Sequence, residues 1–134
     1  MKEHTGGCLC GAVRYVFTGE PRSVSLCHCS HCQKLSGGSF TINLVVREQD
    51  FAQQGITSIF EDTGDSGNQV QRHFCGDCGS HILAKIASAP GKIVLKGGTL
   101  DHPNSFTPQA EIYTGRASPW LLPVENTQRF PQGI

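Results

Sequence analysis

Seven cysteines gathered in three short clusters constrain this chain more than any other feature of its sequence. The clusters are Cys8-Leu9-Cys10, the segment from Cys27 to Cys32, and Cys75-Gly76-Asp77-Cys78. An odd number of thiols cannot all pair within one chain, and the first residues carry no apolar segment typical of a secretion signal. We therefore expect a cytoplasmic protein whose cysteines bind metal, because a reducing compartment disfavours a disulfide framework.

Zinc is the metal that these clusters indicate, because it takes thiolates in a tetrahedron at about 2.3 Å. Cys8, Cys10, Cys75 and Cys78 would complete one closed structural site, with Gly11, Gly76 and Gly79 available for the tight turns. Cys27, Cys29 and Cys32 then remain. Three protein ligands with an exchangeable fourth position are typical of a catalytic zinc, so we predict two zinc ions per chain.

Two other arrangements of the ligands stay open at this point. One zinc ribbon could use two clusters and leave the third unliganded or redox-active. Alternatively, His28 or His31 could supply a fourth ligand to the second site and make it purely structural, because both lie inside its loop and imidazole is an ordinary zinc ligand.

A site with three thiolates and an open position has a chemical preference for sulfur. Three thiolates outweigh the charge of a divalent ion, which makes the ion a weak Lewis acid and a poor source of hydroxide. Such a soft centre suits a thiol that enters the fourth position and loses its proton. We expect this thiol to add to a small electrophile such as an aldehyde, with His28 as a candidate proton shuttle.

Three segments of the sequence resemble the signatures of a known family. They are Gly7 to Gly11, Cys27 to Lys34 followed by Gly37-Gly38, and Arg72 to Gly79. In this order they are similar to the glutathione-dependent formaldehyde-activating enzyme family, which includes centromere protein V, over about residues 7–120.

This resemblance implies a mainly β, β-tent fold of short antiparallel strands, with two zinc sites. Its ligand sets are Cys8, Cys10, Cys75 and Cys78 for a structural zinc and Cys27, Cys29 and Cys32 for a catalytic zinc. The activity that it implies is a carbon–sulfur lyase type of reaction, in which glutathione and formaldehyde form S-hydroxymethylglutathione.

Short runs of alternating apolar and polar residues independently predict a mainly β single domain over residues 1–134. The runs are 13–18, 40–46, 57–60, 70–74, 81–86, 92–95 and 111–113. Only 47–54 and the stretch after Cys32 are expected to hold a helical turn or two. The polar segment 61–69 is predicted to be an exposed hairpin loop, and the tail 127–134 to be loosely held.

The charge balance excludes partners that are recognised by a strong overall field. Eleven basic residues offset eleven acidic ones, so we expect no nucleic acid partner and no membrane attachment, and no run reaches the length of a membrane span. The expected partners are a small thiol such as glutathione and a small aldehyde.

Several residues outside the cysteine clusters are candidates to contact these substrates. Lys34, Arg72 and Arg116 could bind the carboxylates of glutathione, although each is also compatible with an ordinary surface charge. Trp120 could line a pocket or pack into the core. The turn 37–39 could present backbone N–H groups to the substrate or simply lead into the next strand.

Two other classes of function compete with an enzyme. The first is a zinc-stabilised interaction module whose second metal is structural or absent. The second is a redox switch in which the crowded Cys27, Cys29 and Cys32 release zinc on oxidation. The number of zinc ions per chain, and the response of the second site to thiols, distinguish these classes from the enzyme.

Overall fold

The computed structural model describes residues 1–133, which form two β-sheets and one short α-helix. The smaller sheet has the order β1-β2-β5 and is antiparallel throughout. Its strands are β1 (Glu3–Gly7), β2 (Arg14–Thr18) and β5 (Phe51–Gln54). Tyr15 and Phe17 of β2 are buried, while Arg14, Val16 and Thr18, which alternate with them, are less so, as expected of a strand with one face on the core.

The larger sheet has eight strands in the order β11-β10-β3-β4-β9-β8-β7-β6. These strands are β3 (Ser23–Cys27), β4 (Thr41–Arg47), β6 (Ser58–Thr63), β7 (Gln69–Phe74), β8 (His81–Ile86), β9 (Lys92–Lys96), β10 (Ala110–Ile112) and β11 (Gln128–Arg129). Helix α1 (Ser30–Ser36) lies between β3 and β4. Four 3-10 turns cover Glu48–Asp50, Gly97–Thr99, Pro103–Ser105 and Thr114–Arg116.

The main hydrophobic core joins the two sheets. Side chains of β2 and the turn before it pack with side chains of β4, β8 and β9. The most deeply buried members are Val13, Phe17, Leu44, Ile82, Leu83, Ile93 and Leu95, each at most 1% exposed. Burial of a large apolar side chain contributes roughly 1.5–3 kcal/mol, so this cluster is the main source of stability outside the cysteine groups.

The mainly β fold predicted from the sequence is confirmed, and its errors are local. Strands β1, β3, β5 and β11 were not predicted, and 51–54 is a strand where a helical turn was expected. The strands of the β6–β7 hairpin extend into the predicted loop 61–69, so that only 64–68 connects them. Not all strands are antiparallel, because β10 runs parallel to both β3 and β11.

The tail was also predicted wrongly, because the sheet holds it. Strand β11 pairs with β10, and the Tyr113 amide donates to the Gln132 carbonyl at 3.0 Å. Ile134, the last residue of the predicted tail, lies outside the described residues. None of the helices found between residues 1 and 133 has the length and apolar character required to cross a membrane.

Candidate metal centres

The first cysteine group joins two turns that are far apart in the sequence. Cys8 and Cys10 lie in the turn between β1 and β2, and Cys75 and Cys78 lie in the turn between β7 and β8. The four sulfur atoms all lie within 4.8 Å of one another. The sequence analysis predicted this grouping by counting ligands, and the fold brings the same four residues together.

The spacing of these sulfurs suits a tetrahedral metal and not a disulfide. The Cys10 sulfur lies 3.6 Å from that of Cys8 and 3.7 Å from that of Cys75. Four thiolates at about 2.3 Å from a zinc ion are about 3.8 Å apart, whereas a disulfide bond is about 2.05 Å long. None of the seven cysteines forms a disulfide bond.

Backbone amides and a hydroxyl support the sulfurs of this group. The Val13 amide donates to the Cys8 sulfur at 3.2 Å, and the Gly79 amide donates to the Cys75 carbonyl at 2.8 Å. The Ser80 hydroxyl lies 3.3 Å from the Cys78 sulfur, and hydrogen bonds from Ser80 lower the pKa of Cys78 to about 5. The hydrogen bonds to the Cys8 and Cys78 sulfurs favour the thiolate form of these two residues, which is the form that binds metal. The Gly79 hydrogen bond closes the turn that carries Cys75 and Cys78.

The second group consists of Cys27, Cys29 and Cys32, and it is more deeply buried. Their sulfurs also lie within 4.8 Å of one another, and the residues are 4%, 7% and 2% exposed. Cys27 ends β3, and the Cys29 sulfur caps α1 by accepting a hydrogen bond from the Cys32 amide at 3.3 Å. One strand end and one helical turn therefore aim three thiols at the same point.

Lys96 at the end of β9 places a positive charge beside this group. Its side-chain nitrogen lies 3.8 Å from the Cys32 sulfur and donates to Asn43 Oδ1 at 2.9 Å. Hydrogen bonds from the Cys27 and Cys29 thiols lower the pKa of Cys32, and the charge of Lys96 lowers it further. Sequence analysis missed Lys96, because a lysine at a strand end reads as an exposed residue.

His28 is fixed beside the second group by a buried carboxylate. The residue is 1% exposed, and its Nε2 lies 2.8 Å from Oε1 of Glu111, which is equally buried. Its Nδ1 has no hydrogen-bond partner within residues 1–133. Sequence analysis did not find Glu111. The role of His28 as a proton shuttle remains a prediction.

Neither histidine that was considered as a fourth ligand belongs to the sulfur group. His28 faces Glu111, and both ring nitrogens of His31 face carboxylates, at 2.7 Å for Asp62 and 3.3 Å for Asp65. The described residues thus supply three ligands to the second group, and none of these three ligands is an imidazole. Asp62 was predicted to lie in an exposed loop, yet its side chain is only 12% exposed.

The three cations proposed for substrate binding have different environments. Arg72 is 6% exposed and donates to Asp62 through both Nε and Nη2, so it is a buried ion-pair residue and not a surface charge. The Arg116 guanidinium is exposed and lies 3.9 Å from Asp65. Lys34 is exposed in the last turn of α1.

The remaining candidates lie at the surface. Trp120 is 73% exposed, so it does not pack into the core. Gly37 ends α1 with a positive φ of 71°, and both it and Gly38 are exposed. The segment 37–39 is therefore a turn that leads from α1 to the next strand, and a contact of its N–H groups with substrate stays a prediction.

A further polar residue, His81, was also missed by the sequence analysis. A bulge between His73 and Phe74 pairs His81 with Phe74, and cross-strand partners share one face of a sheet. Burial lowers the pKa of His81 to about 4, with additional lowering by Lys96 and Arg72. Both its ring nitrogens are buried without a hydrogen-bond partner in the part of the chain that the structure describes.

Comparison with known proteins identifies a family and a solved structure of related fold. The family described as "Glutathione-dependent formaldehyde-activating enzyme" matches residues 3–116. The crystal structure of a protein from Rhodobacter sphaeroides is similar to this one, with a TM-score of 0.57 and 20% sequence identity. The similarity covers 78% of this chain and 91% of that chain. At this identity the match shows a shared fold.

Proposed function

Because the chain belongs to the glutathione-dependent formaldehyde-activating enzyme family, we propose that it adds a small thiol to a small aldehyde beside Cys27, Cys29 and Cys32. Glutathione and formaldehyde are the first pair to test, and their product is S-hydroxymethylglutathione. In the direction of cleavage the same reaction is that of a carbon–sulfur lyase. A cytoplasmic location would keep both the cysteines and the substrate thiol reduced.

The observation that carries this proposal is the number of protein ligands in the second group. Three buried sulfurs converge, and no other cysteine, histidine or carboxylate among residues 1–133 joins them. A divalent zinc ion held by these residues would bind an incoming thiol and lower the pKa of its sulfur. Cys27, Cys29 and Cys32 would hold the ion, and their burial would exclude bulk water from it.

The proposed reaction balances without any oxidant or reductant. The thiol loses its proton, and its sulfur forms a bond to the carbonyl carbon of the aldehyde. The π electrons of the C=O bond move to the oxygen, which takes up one proton and becomes a hydroxyl group. His28 is the candidate to move this proton, since an imidazole can act as a general acid or base and Glu111 fixes its ring.

The four-cysteine group has a different task in this proposal. Cys8, Cys10, Cys75 and Cys78 would hold a closed structural zinc that joins the β1–β2 turn to the β7–β8 turn. The chain would then carry two zinc ions, one for the fold and one for the reaction. Cys10 is the one exposed member of this group, and the full set of four ligands leaves no position for a substrate.

Metal analysis and thiol titration test the proposal together. Native protein should contain two zinc ions per chain, and Cys29→Ser should contain one and stay folded. Glutathione should change the visible spectrum of protein that carries cobalt in the second site, because a soft open position accepts sulfur. The same protein with zinc should speed the exchange between free formaldehyde and its glutathione adduct, followed by NMR.

The outcomes also separate the competing functions. Two zinc ions with no response to any thiol, and no faster exchange, would refute the enzyme and favour an interaction module. Release of the second zinc by peroxide, with recovery on reduction and again no catalysis, would favour the redox switch. Unfolding of Cys29→Ser would show that the second site is structural.

A further inference from the structure

Lys96 is a buried cation whose position is unusual for a lysine. The residue is 6% exposed, and its nitrogen contacts three groups: Asn43 Oδ1 at 2.9 Å, Thr41 Oγ1 at 3.5 Å and the Cys32 sulfur at 3.8 Å. Two of these partners are neutral oxygens, and a neutral hydrogen-bonding environment does not balance a buried positive charge. Of these three partners among the described residues, Cys32 is the one that can carry a negative charge.

Pairing in the sheet fixes this contact. Lys96 on β9 lies opposite Asn43 on β4, and Thr41 on β4 lies opposite Cys27 on β3. Cross-strand partners point to the same face, as do residues two positions apart in a strand. Asn43, Thr41, Cys27 and Lys96 therefore share one face, the face on which α1 places Cys32. The ammonium group is held by rigid strands and not by a mobile loop.

The charges of the group explain what such a cation would do. Three thiolates and a divalent ion sum to minus one, and a bound substrate thiolate would bring the sum to minus two in a buried site. With the ammonium of Lys96 included, these totals become zero and minus one. The charge of Lys96 would therefore increase the binding affinity of an anionic ligand more than that of a neutral ligand.

We propose that Lys96 is the built-in counter-ion of the Cys27, Cys29 and Cys32 site and makes it selective for anionic ligands such as thiolates. This inference deepens the proposed function and rests on metal binding at that site. Lys96 acts through Cys32 as a positioning residue, by donating to its sulfur and offsetting its charge, and it does not itself need to contact the substrate.

Ligand binding to cobalt-substituted protein provides the test, with azide as an anionic probe and imidazole as a neutral probe. In Lys96→Met, affinity for azide should fall by about 10-fold to 100-fold, because the bound anion loses its attraction to a unit positive charge in a buried site. Affinity for imidazole should change by less than about threefold. If the role of Lys96 were purely structural, Lys96→Met would lower the affinities for azide and for imidazole by the same factor.

Two further variants make the test robust. Asn43→Asp keeps the size of the side chain and the hydrogen bond to Lys96 but adds a negative charge next to the ammonium, so it should also lower azide affinity selectively. Lys85→Met is the matched control, because Lys85 lies on the neighbouring strand β8. Its side-chain nitrogen pairs with Glu48 at a distance of 2.7 Å and does not contact the cysteines. It should leave both affinities unchanged.

The results separate failure of this inference from failure of the proposed function. If Asn43→Asp, and Lys96→Met where it folds, bind azide and imidazole in the wild-type ratio, the counter-ion role is refuted even if thiols still bind. If the wild-type protein binds no thiol but the variants lose affinity for azide and not for imidazole, the counter-ion role of Lys96 is supported and the proposed thiol reaction is refuted. Absence of cobalt from the second site of the wild-type protein would overturn both.

Discussion

Glu111 offers a prediction in which stability and pH are linked through one buried carboxylate. It accepts four hydrogen bonds: from His28 Nε2 at 2.8 Å, the Val124 amide at 3.0 Å, the Thr127 hydroxyl at 3.2 Å and Arg129 Nη1 at 2.6 Å. Three of the donors belong to the segment 124–129, and the fourth is His28, between Cys27 and Cys29. The carboxylate therefore ties the end of the chain to the second cysteine group.

The substitution Glu111→Gln keeps the shape of this side chain and removes its charge. Hydrogen bonds to a charged group contribute roughly 1.5–3 kcal/mol and neutral ones about 1 kcal/mol, and the new amide group would face a donor on one side. We expect a loss of about 2–4 kcal/mol in the free energy of unfolding at pH 7, measured by urea denaturation. Glu125→Gln, an exposed change in the same segment, should cost less than about 0.5 kcal/mol.

The pH dependence of this difference has a definite sign. Burial alone raises the pKa of Glu111, but the hydrogen bonds from His28 and Val124 and the charge of Arg129 outweigh it, and the net pKa lies below its ordinary value. A lowered pKa in the folded state contributes stability that is complete above the unfolded pKa of about 4.3 and disappears as the pH falls through the folded pKa. The difference between wild type and Glu111→Gln should thus stay constant from pH 7 to about pH 5 and shrink in more acidic solution. A difference that grows on acidification, or one at pH 7 no larger than that of Glu125→Gln, would refute this account.

Three other predictions follow from contacts elsewhere in the fold. Cys75→Ser should unfold the chain or lower its melting temperature far more than Cys29→Ser, because structural zinc sites contribute about 10 kcal/mol or more to folding. Circular dichroism measures this difference, and equal effects would contradict a structural role for the four-cysteine group and a catalytic role for the other. Gly55→Ala should lower the free energy of unfolding, measured by urea denaturation, more than Gly67→Ala does. Both glycines have a positive φ near 86°, so the backbone strain is the same in the two variants. A methyl group at Gly55 would lie 2.1 Å from the Ala12 carbonyl oxygen, whereas one at Gly67 would meet nothing within 4 Å. Asp101 should titrate with a pKa of about 2 in NMR spectra, since Arg14 and Thr5 donate to its carboxylate, and Arg14→Met should return this pKa toward about 3.9; an unchanged value would contradict the contact.

Local patterns in the sequence were sufficient for the cysteine groups and for most strands. Ligand counting works because zinc has a fixed coordination number, so seven thiols in three clusters allow few divisions. Strand β2 is predictable because the large apolar residues Tyr15 and Phe17 recur at every second position, with polar Arg14 and Thr18 on either side. Strand β1, by contrast, contains Glu, His, Thr and two glycines, and it is a strand because β2 supplies its hydrogen-bonding partners.

Residues that depend on long-range pairing could not be predicted in this way. Lys96 is a site residue only because β9 lies next to β4 in a register that sets it opposite Asn43. Glu111 is buried only because β10 inserts between β3 and β11 in parallel, which brings a tail of unremarkable composition against the second cysteine group. Neither register nor strand order is encoded in a local pattern, so charged residues of this kind read as surface residues.

The positions of the two cysteine groups in the chain explain why they suit different tasks. Cys10 and Cys75 are separated by 65 positions in the sequence, so a metal that binds both closes a long loop and restricts the unfolded chain. Cys27, Cys29 and Cys32 lie within six residues, so a metal there closes almost nothing. The sheet and α1 also hold these three thiols, through the Cys29 cap and the Lys96 contact. Little of the binding free energy at the second group is then needed for folding, and a position can stay open for an exchangeable ligand without loss of the fold.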